Sequence, residues 1–358
     1  MPDRFGNYSE EEKRIISESY ARIDVYRNGK RIIHNGRPEK TDRRNRELSQ
    51  SKSKMPTMKY INQERKRAIR NRESLFSDPG NGMFLGKKRE FVLKDSNLNL
   101  WEEIRANALQ YFDRNKITWW MGNTNCPTGH LLSSQVACVN HLFYLHQRKD
   151  LATAVLNGID KEITEALIVD DGYVEFEFIG SKQYLEEKSW TRGANCTSID
   201  SVMIGKNAKG IKIFFLIEWK YTENYQSEDK YIPERAKVYD YLIEDKQSPF
   251  KKKNVRAYYY EPFYQMMRQT LLGWKFVENK DHCCSDYRHI HVIPKENKEL
   301  LNKITSPDLK GENISEAWKS VLNNPDKYIT ISPQELLSPC SEIVDSKSLL
   351  SYLKSRYW

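Results

Sequence analysis

A chain of 358 residues, 39% hydrophobic and 30% charged, is long enough to bury a sizeable core and too apolar for a disordered chain. Its longest uninterrupted apolar run, Ile213 to Ile217, falls far short of the roughly 20 residues that cross a bilayer, and the charged amino terminus lacks the apolar core of a secretory signal. A cytoplasmic protein that spans no membrane is the expectation. The net charge of +9 is concentrated, since residues 1–95 carry 24 Lys and Arg against 14 Asp and Glu while the rest is close to neutral. Such a segment suits a polyanion, or serves as a solvated arm. Six cysteines with no CxxC pair argue against a disulfide framework in a chain this large.

Residues 1 to about 75 are polar, with basic clusters such as "RRNR" and "ERKRAIRNR", and read as a helical or poorly ordered arm leading into a Gly-containing loop and a short strand. In "NLWEEIRANALQYF", Trp101, Ile104, Ala108, Leu109 and Phe112 recur at helical spacing. "LLSSQVACVNHLFYLHQ" predicts a second helix, with Ser133 or Ser134 as its cap. "GYVEFEFIG" alternates as a strand, placing Val174, Phe176 and Phe178 on one face and Glu175 and Glu177 on the other. "TSIDSVMIG" and "IKIFFLIEWK" are two strands joined by the turn-prone "KNAKG". "EPFYQMMRQTLLGWKFV" is helical, with Phe263, Met267, Thr270, Leu271 and Trp274 on one face and Gln265, Arg268, Gln269 and Leu272 on another. "YRHIHVI" is a further strand, and residues 299–358 read as mostly helical. The fold class expected is α/β. Its organisation is a basic arm and entry segment over 1–95, a core over 96–298 and a helical carboxy-terminal lobe over 299–358.

The stretch "FFLIEWK" carries the chemistry. An acid, any residue and a lysine recur elsewhere, as at Glu64 to Lys66 or Glu278 to Lys280, but only Glu218 to Lys220 ends a strongly apolar strand. Period-2 alternation puts Glu218 and Lys220 on one face and Trp219 on the other. Antiparallel pairing of the two strands can bring Asp200 beside Glu218. Two carboxylates at a polar strand end make a hard-oxygen site for Mg²⁺ or Mn²⁺, a metal that polarises a phosphoryl oxygen and orients water while Lys220 offsets charge or helps activate the water. That chemistry is phosphodiester hydrolysis. The ordinary alternative is an ion pair at a strand end with Asp200 as a turn residue.

In this order of elements, "TSIDSVMIG...IFFLIEWK" resembles the PD-(D/E)XK nuclease superfamily with its restriction endonuclease-like fold. "LLSSQVACVNHLF", "RGANCTSID", "LIEWKYTENY", "PFYQMMRQTLLGW" and "YRHIHVIP" resemble one bacterial family of restriction endonucleases of unassigned specificity, over about residue 80 to the carboxy terminus. The resemblance implies an αβββαβ core with a central mixed sheet flanked by helices. It implies a metal-dependent endonuclease acting on DNA, duplex by expectation, in restriction or phage defence. Asp200 and Glu218 would be the motif acids, Lys220 its lysine, the Trp219 carbonyl a further metal ligand and Gln265 an assisting glutamine. No proline precedes Asp200, and Ser133 to Gln147 contains no acid, so either Gln135 or Asn140 substitutes for it or a third carboxylate comes from Glu175, Glu177 or Glu187, of which Glu177 and Glu187 rank little better than solvated surface residues. Two-strand cutting commonly uses two copies of a chain, so a homodimer is a further expectation.

The alternative function is a nucleic-acid-binding protein on the same fold that is non-catalytic or depends on a partner. "HCCSDYRHIH" gathers His282, Cys283, Cys284, His289 and His291 as zinc-ligand types, with core packing the commoner outcome. Arg192 could reach a phosphate or pair with Glu186 or Glu187, and Arg268 and Gln269 could line a DNA cleft or cap interactions within the lobe. The aromatics of "RAYYYEPFY" could stack on bases or pack on the core. "GNGMFLGKK" lacks the spacing of a phosphate loop.

Overall fold

The computed structural model describes residues 59–358 other than Thr124, Lys252 and Lys253. Most of the basic arm, residues 1–58, lies outside the described residues. Residues 59–84 and 88–358 belong to one compact unit. Its principal helices are α1 (Tyr60–Phe76), α2 (Glu102–Arg114), α3 (Ser134–Leu142), α4 (Lys149–Ile159), α5 (Pro233–Glu244), α6 (Phe263–Glu278) and α7 (Lys347–Arg356). The strands of its main sheet are β1 (Ile163–Leu167), β2 (Glu175–Phe178), β3 (Ile199–Asn207), β4 (Lys212–Trp219), β5 (Asp286–Val292) and β6 (Tyr328–Ile331).

The sheet is mixed and runs β1-β3-β4-β5-β6, with β2 also on β3. β1 and β2 pair antiparallel with successive halves of β3, and β3 pairs antiparallel with β4. β5 and β6 then continue in parallel. β4 is central, buried from Ile213 to Trp219, and its apolar run is continuous because both faces are covered. Phe215, Ile217 and Trp219 face a core shared with α2, α3, α4 and α7, whereas Phe214 and Leu216 face one shared with α5 and α6. Each such side chain contributes roughly 1.5–3 kcal/mol. The hairpin between β3 and β4 closes where expected: Asn207 Oδ1 accepts from the Lys209 and Ile211 amides, 3.0 Å each, and Gly210 takes φ +79°.

Helix α3 is capped by Ser133, whose Oγ accepts from Val136 N at 3.3 Å. Helix α6 lies close against β4 because Gly273 faces the sheet, and a Cβ there would stand 2.4 Å from Leu216 Cδ1. That close approach sets the distance from α6 side chains to the end of β4.

Two sequence expectations are corrected. The alternation in "VEFEF" breaks at Glu177, whose φ of +47° lies in the left-handed region rarely taken by non-glycine residues. Val174 and Phe176 therefore enter the first core and Phe178 the second. Residues 299–358 are not helical throughout, since Tyr328–Ile331 adds a parallel strand on β5. The helices α4 and α5 and strand β1 are elements that the pattern reading did not single out.

Candidate active site

Glu218 ends β4 and Lys220 follows it, both on the α6 side, while the Trp219 ring packs the other way, its centroid 4.5 Å from that of His141 on α3. Glu218 is 1% exposed and Lys220 5%. Lys220 Nζ donates to Glu218 Oε1 and to Gln265 Oε1, 2.6 Å each. One helical turn along α6, Gln269 Nε2 donates to Glu218 Oε2, and its Oε1 lies 3.2 Å from His289 Nε2. The run from His289 through Gln269, Glu218 and Lys220 to Gln265 is thus one connected network. Burial pulls the Lys220 ammonium down, but the charge of Glu218, with Tyr225, Glu223 and Asp200 behind it, holds its pKa well above the ordinary lysine value. That direction keeps the Lys220 ammonium charged beside Glu218.

Asp200 comes from β3. The pair Ser201 and Ile217 places it opposite Glu218, and its Oδ2 accepts from Trp219 N at 2.7 Å. On its other side Glu177 lies between the pairs Phe176 with Ser201 and Phe178 with Ile199, hence opposite Asp200. Glu177 is 7% exposed, and its oxygens accept from Gln135 Nε2 at 2.7 Å and Ser198 Oγ at 2.8 Å. Burial, then the charges of Glu218 and Glu177, raise the Asp200 carboxyl well above the usual aspartate range, partly offset by Lys220 and the Trp219 amide. Burial likewise raises Glu177, opposed by the Gln135 and Ser198 hydrogen bonds and reinforced by Glu218. Lys220 thus opposes the charges of Glu218 and Asp200, while Arg192 is the cation that acts on Glu177.

The ranking of Glu177 as a near-solvated residue is corrected by this burial. Glu187 is partly exposed and structural, accepting from Thr197 N at 2.8 Å and from Thr197 Oγ1 at 2.6 Å, which ties down the segment entering Asp200. Glu175, fully buried, accepts from Tyr111 OH and from the Asp171 and Gly172 amides. Arg192 is also structural. It pairs with Glu175 at 3.4 Å and donates to Tyr111 OH at 2.8 Å. Gln269, read from the sequence as a residue that could line a DNA cleft, bonds to Glu218 and lies against His289, and its i, i+4 spacing from Gln265 puts both amides on one side of α6.

The "HCC" segment forms no zinc centre. His282 lies 2.9 Å from both Asp170 and Asp281, Cys283 is exposed and Cys284 buried, and His289 and His291 belong to β5. Among the described residues no three His, Cys, Asp or Glu side chains are gathered to hold a metal ion. Tyr258 and Tyr259 are fully buried, so they pack rather than stack on bases.

Among the described residues no helix is long and apolar enough to cross a membrane. What fold and site define is an α/β protein with a buried acid and lysine cluster at the carboxyl edge of a mixed sheet. A family model described as restriction endonuclease associating with ARP matches residues 44–358, and the chain belongs to that family. No curated protein and no solved structure matched it.

Proposed function

We propose that the chain is a metal-dependent endonuclease hydrolysing phosphodiester bonds of duplex DNA, built on a PD-(D/E)XK core. The observation that carries this is the row of buried acids Glu177, Asp200 and Glu218 on neighbouring strands, with Lys220 paired to Glu218 at the end of the central strand. Asp200 and Glu218 together exceed the single charge of Lys220 in a largely buried site, and a divalent cation would relieve the remainder. That no three His, Cys, Asp or Glu side chains are gathered among the described residues does not conflict with Mg²⁺, which is usually bound through one or two carboxylates and keeps several waters. The donors would be Asp200, Glu218 and the Trp219 carbonyl, with Glu177 as the third acid. When bound, Mg²⁺ or Mn²⁺ would supply electrophilic polarisation of the phosphate and a lowered pKa for water.

The protein groups then have distinct tasks. Lys220, kept protonated by its neighbours, donates to an oxygen of the reacting phosphate or of the attacking water, and stabilises developing negative charge. Gln265 holds the ammonium from the α6 side, and Gln269 orients Glu218. These side chains stand on a strand and a helix, so their geometry is fixed before substrate arrives.

The test is conversion of supercoiled plasmid to nicked or linear form with Mg²⁺ or Mn²⁺. Wild type should cut and Lys220→Met should not; equal cutting by both in clean preparations defeats the assignment. Binding that survives EDTA, with no cleavage of any DNA or RNA form, would leave a binding-only protein on the same fold.

A further inference from the structure

On the face of the strand end turned away from Glu218 and Lys220 lies a cavity of about 80 Å³. Its aromatic walls are Tyr60, Trp219, Tyr221, Tyr357 and Trp358. Glu64 of α1, 3% exposed, also lines it, with Oε2 accepting from Tyr221 OH at 2.7 Å and lying 3.5 Å from Arg67. Glu296 adds a second carboxylate, so two acids stand against one guanidinium. The lining thus carries two acids and one cation; Glu296 is exposed, burial raises the Glu64 carboxyl, and the Arg356 guanidinium acts on His141 from outside the lining.

A second observation points to a ligand. His141, 1% exposed, lines the cavity, and its Nδ1 lies 2.7 Å from the Ala137 carbonyl. Because a carbonyl only accepts, Nδ1 carries the hydrogen and Nε2 is left as a bare acceptor. Among the described residues that Nε2 has no partner. Burial pushes the His141 pKa down to about 3, so the ring stays neutral and its lone pair stays available. A buried acceptor without a donor is unfavourable, and a bound donor would satisfy it.

Acceptor, excess acid and aromatic faces together select a cation. An anion would meet Glu64 and Glu296. The volume is about half of the roughly 150 Å³ that accommodates benzene in an engineered cavity, so it suits a compact charged head rather than a heterocycle. We propose that this cavity binds an alkylammonium group, from a polyamine or from a lysine side chain. The occupant would rest on Trp219, which lies between Glu218 and Lys220 in sequence, and so would bear on the strand end that carries them.

Isothermal titration of the full chain with n-butylammonium chloride tests this, with n-butanol as the neutral control. Saturable binding of the ammonium is expected, at least about tenfold tighter than the alcohol. Glu64→Gln should weaken it by about tenfold or more, whereas Lys275→Gln, on α6 and outside the cavity lining, should leave it unchanged. Matching thermal unfolding of the variants keeps misfolding out of the comparison. Tighter binding of spermidine than of Nα-acetyl-lysine methylamide assigns the site to polyamines, and the reverse assigns it to a lysine side chain. Equal binding of butanol, no saturable ammonium binding, or ammonium binding that Glu64→Gln leaves unchanged would overturn the proposal. The measurement needs no cleavage activity, so its failure is separate from failure of the nuclease reading.

Discussion

The pair Glu218 and Lys220 offers a test in which stability and catalysis part company. Lys220→Met removes one member of a buried pair whose charged atoms are 2.6 Å apart, leaving Glu218, 1% exposed, with a charge and no counter-ion. Breaking such a pair from one side costs about 3–5 kcal/mol. Gln269 still donates to Oε2, which favours the lower end, about 3 kcal/mol. At about 2–4 °C per kcal/mol for chains of 150–250 residues, Tm should fall by roughly 6–12 °C or less in this longer chain. Adding Glu218→Gln removes the stranded charge while keeping the side-chain shape, so the double variant should recover most of the loss, because neutral replacement of a buried pair is often close to neutral. The assay is urea or thermal unfolding of wild type, both singles and the double variant in EDTA, beside plasmid cleavage in Mg²⁺. Lys220→Met should lose about 10²–10³-fold in cleavage, and the double variant should remain inactive despite its recovered stability. A double variant as unstable as the sum of the singles, or one that cuts like wild type, would refute the reasoning.

Three further outcomes follow from the same geometry. The Asp200 carboxyl is raised by burial and by Glu218 and Glu177, so its ionisation costs stability as pH rises from the ordinary carboxylate range towards its folded pKa. Asp200→Asn should therefore be more stable than wild type in EDTA at pH 7.5, by on the order of 1 kcal/mol, with the advantage fading near pH 4, while cleavage is lost; an equal effect at both pH values would contradict the shift. Glu177→Gln should suppress cleavage and leave unfolding little changed, whereas Glu175→Gln should mainly destabilise, by about 2 kcal/mol, as read by urea unfolding and initial cleavage rates. His282 is raised to about 9 by its hydrogen bonds to Asp170 and Asp281. Its contribution is present in full below about pH 6.5 and lost as pH rises through about 9, so the stability gap between wild type and His282→Gln should narrow across that window.

Much of the fold was legible because local rules and tertiary demands agree. The apolar run of β4, the turn at Gly210 and the helical spacing in α6 each point to the element observed. β6 escaped because "YITI" is only four residues long within a charged region, too short for periodicity to separate it from a helix. The face of Phe178 escaped for another reason. A glutamate with positive φ looks like any other glutamate in a sequence, yet it reverses which core the next side chain enters.

The site divides along the same line. Asp200 opposite Glu218 was readable because both belong to one hairpin, whose register the turn determines. Glu177, Asp200, Glu218, His291 and Thr330 form one row across five strands, through the registers of β2 with β3, β3 with β4, β4 with β5 and β5 with β6. One residue inward the row is Phe176, Ser201, Ile217, Ile290 and Ile329, apolar apart from a single hydroxyl. The polar row therefore marks where the buried sheet gives way to a charged edge. Its members are separated by up to more than a hundred positions in sequence, so no spacing rule collects them. His291 illustrates the consequence: beside "HCC" it resembles a metal ligand, but its register places it next to Glu218, with Nδ1 2.8 Å from Tyr328 OH. Burial, and then the Lys220 charge, hold it neutral, so it adds no second cation to the row and Lys220 remains the ammonium at the end of the central strand.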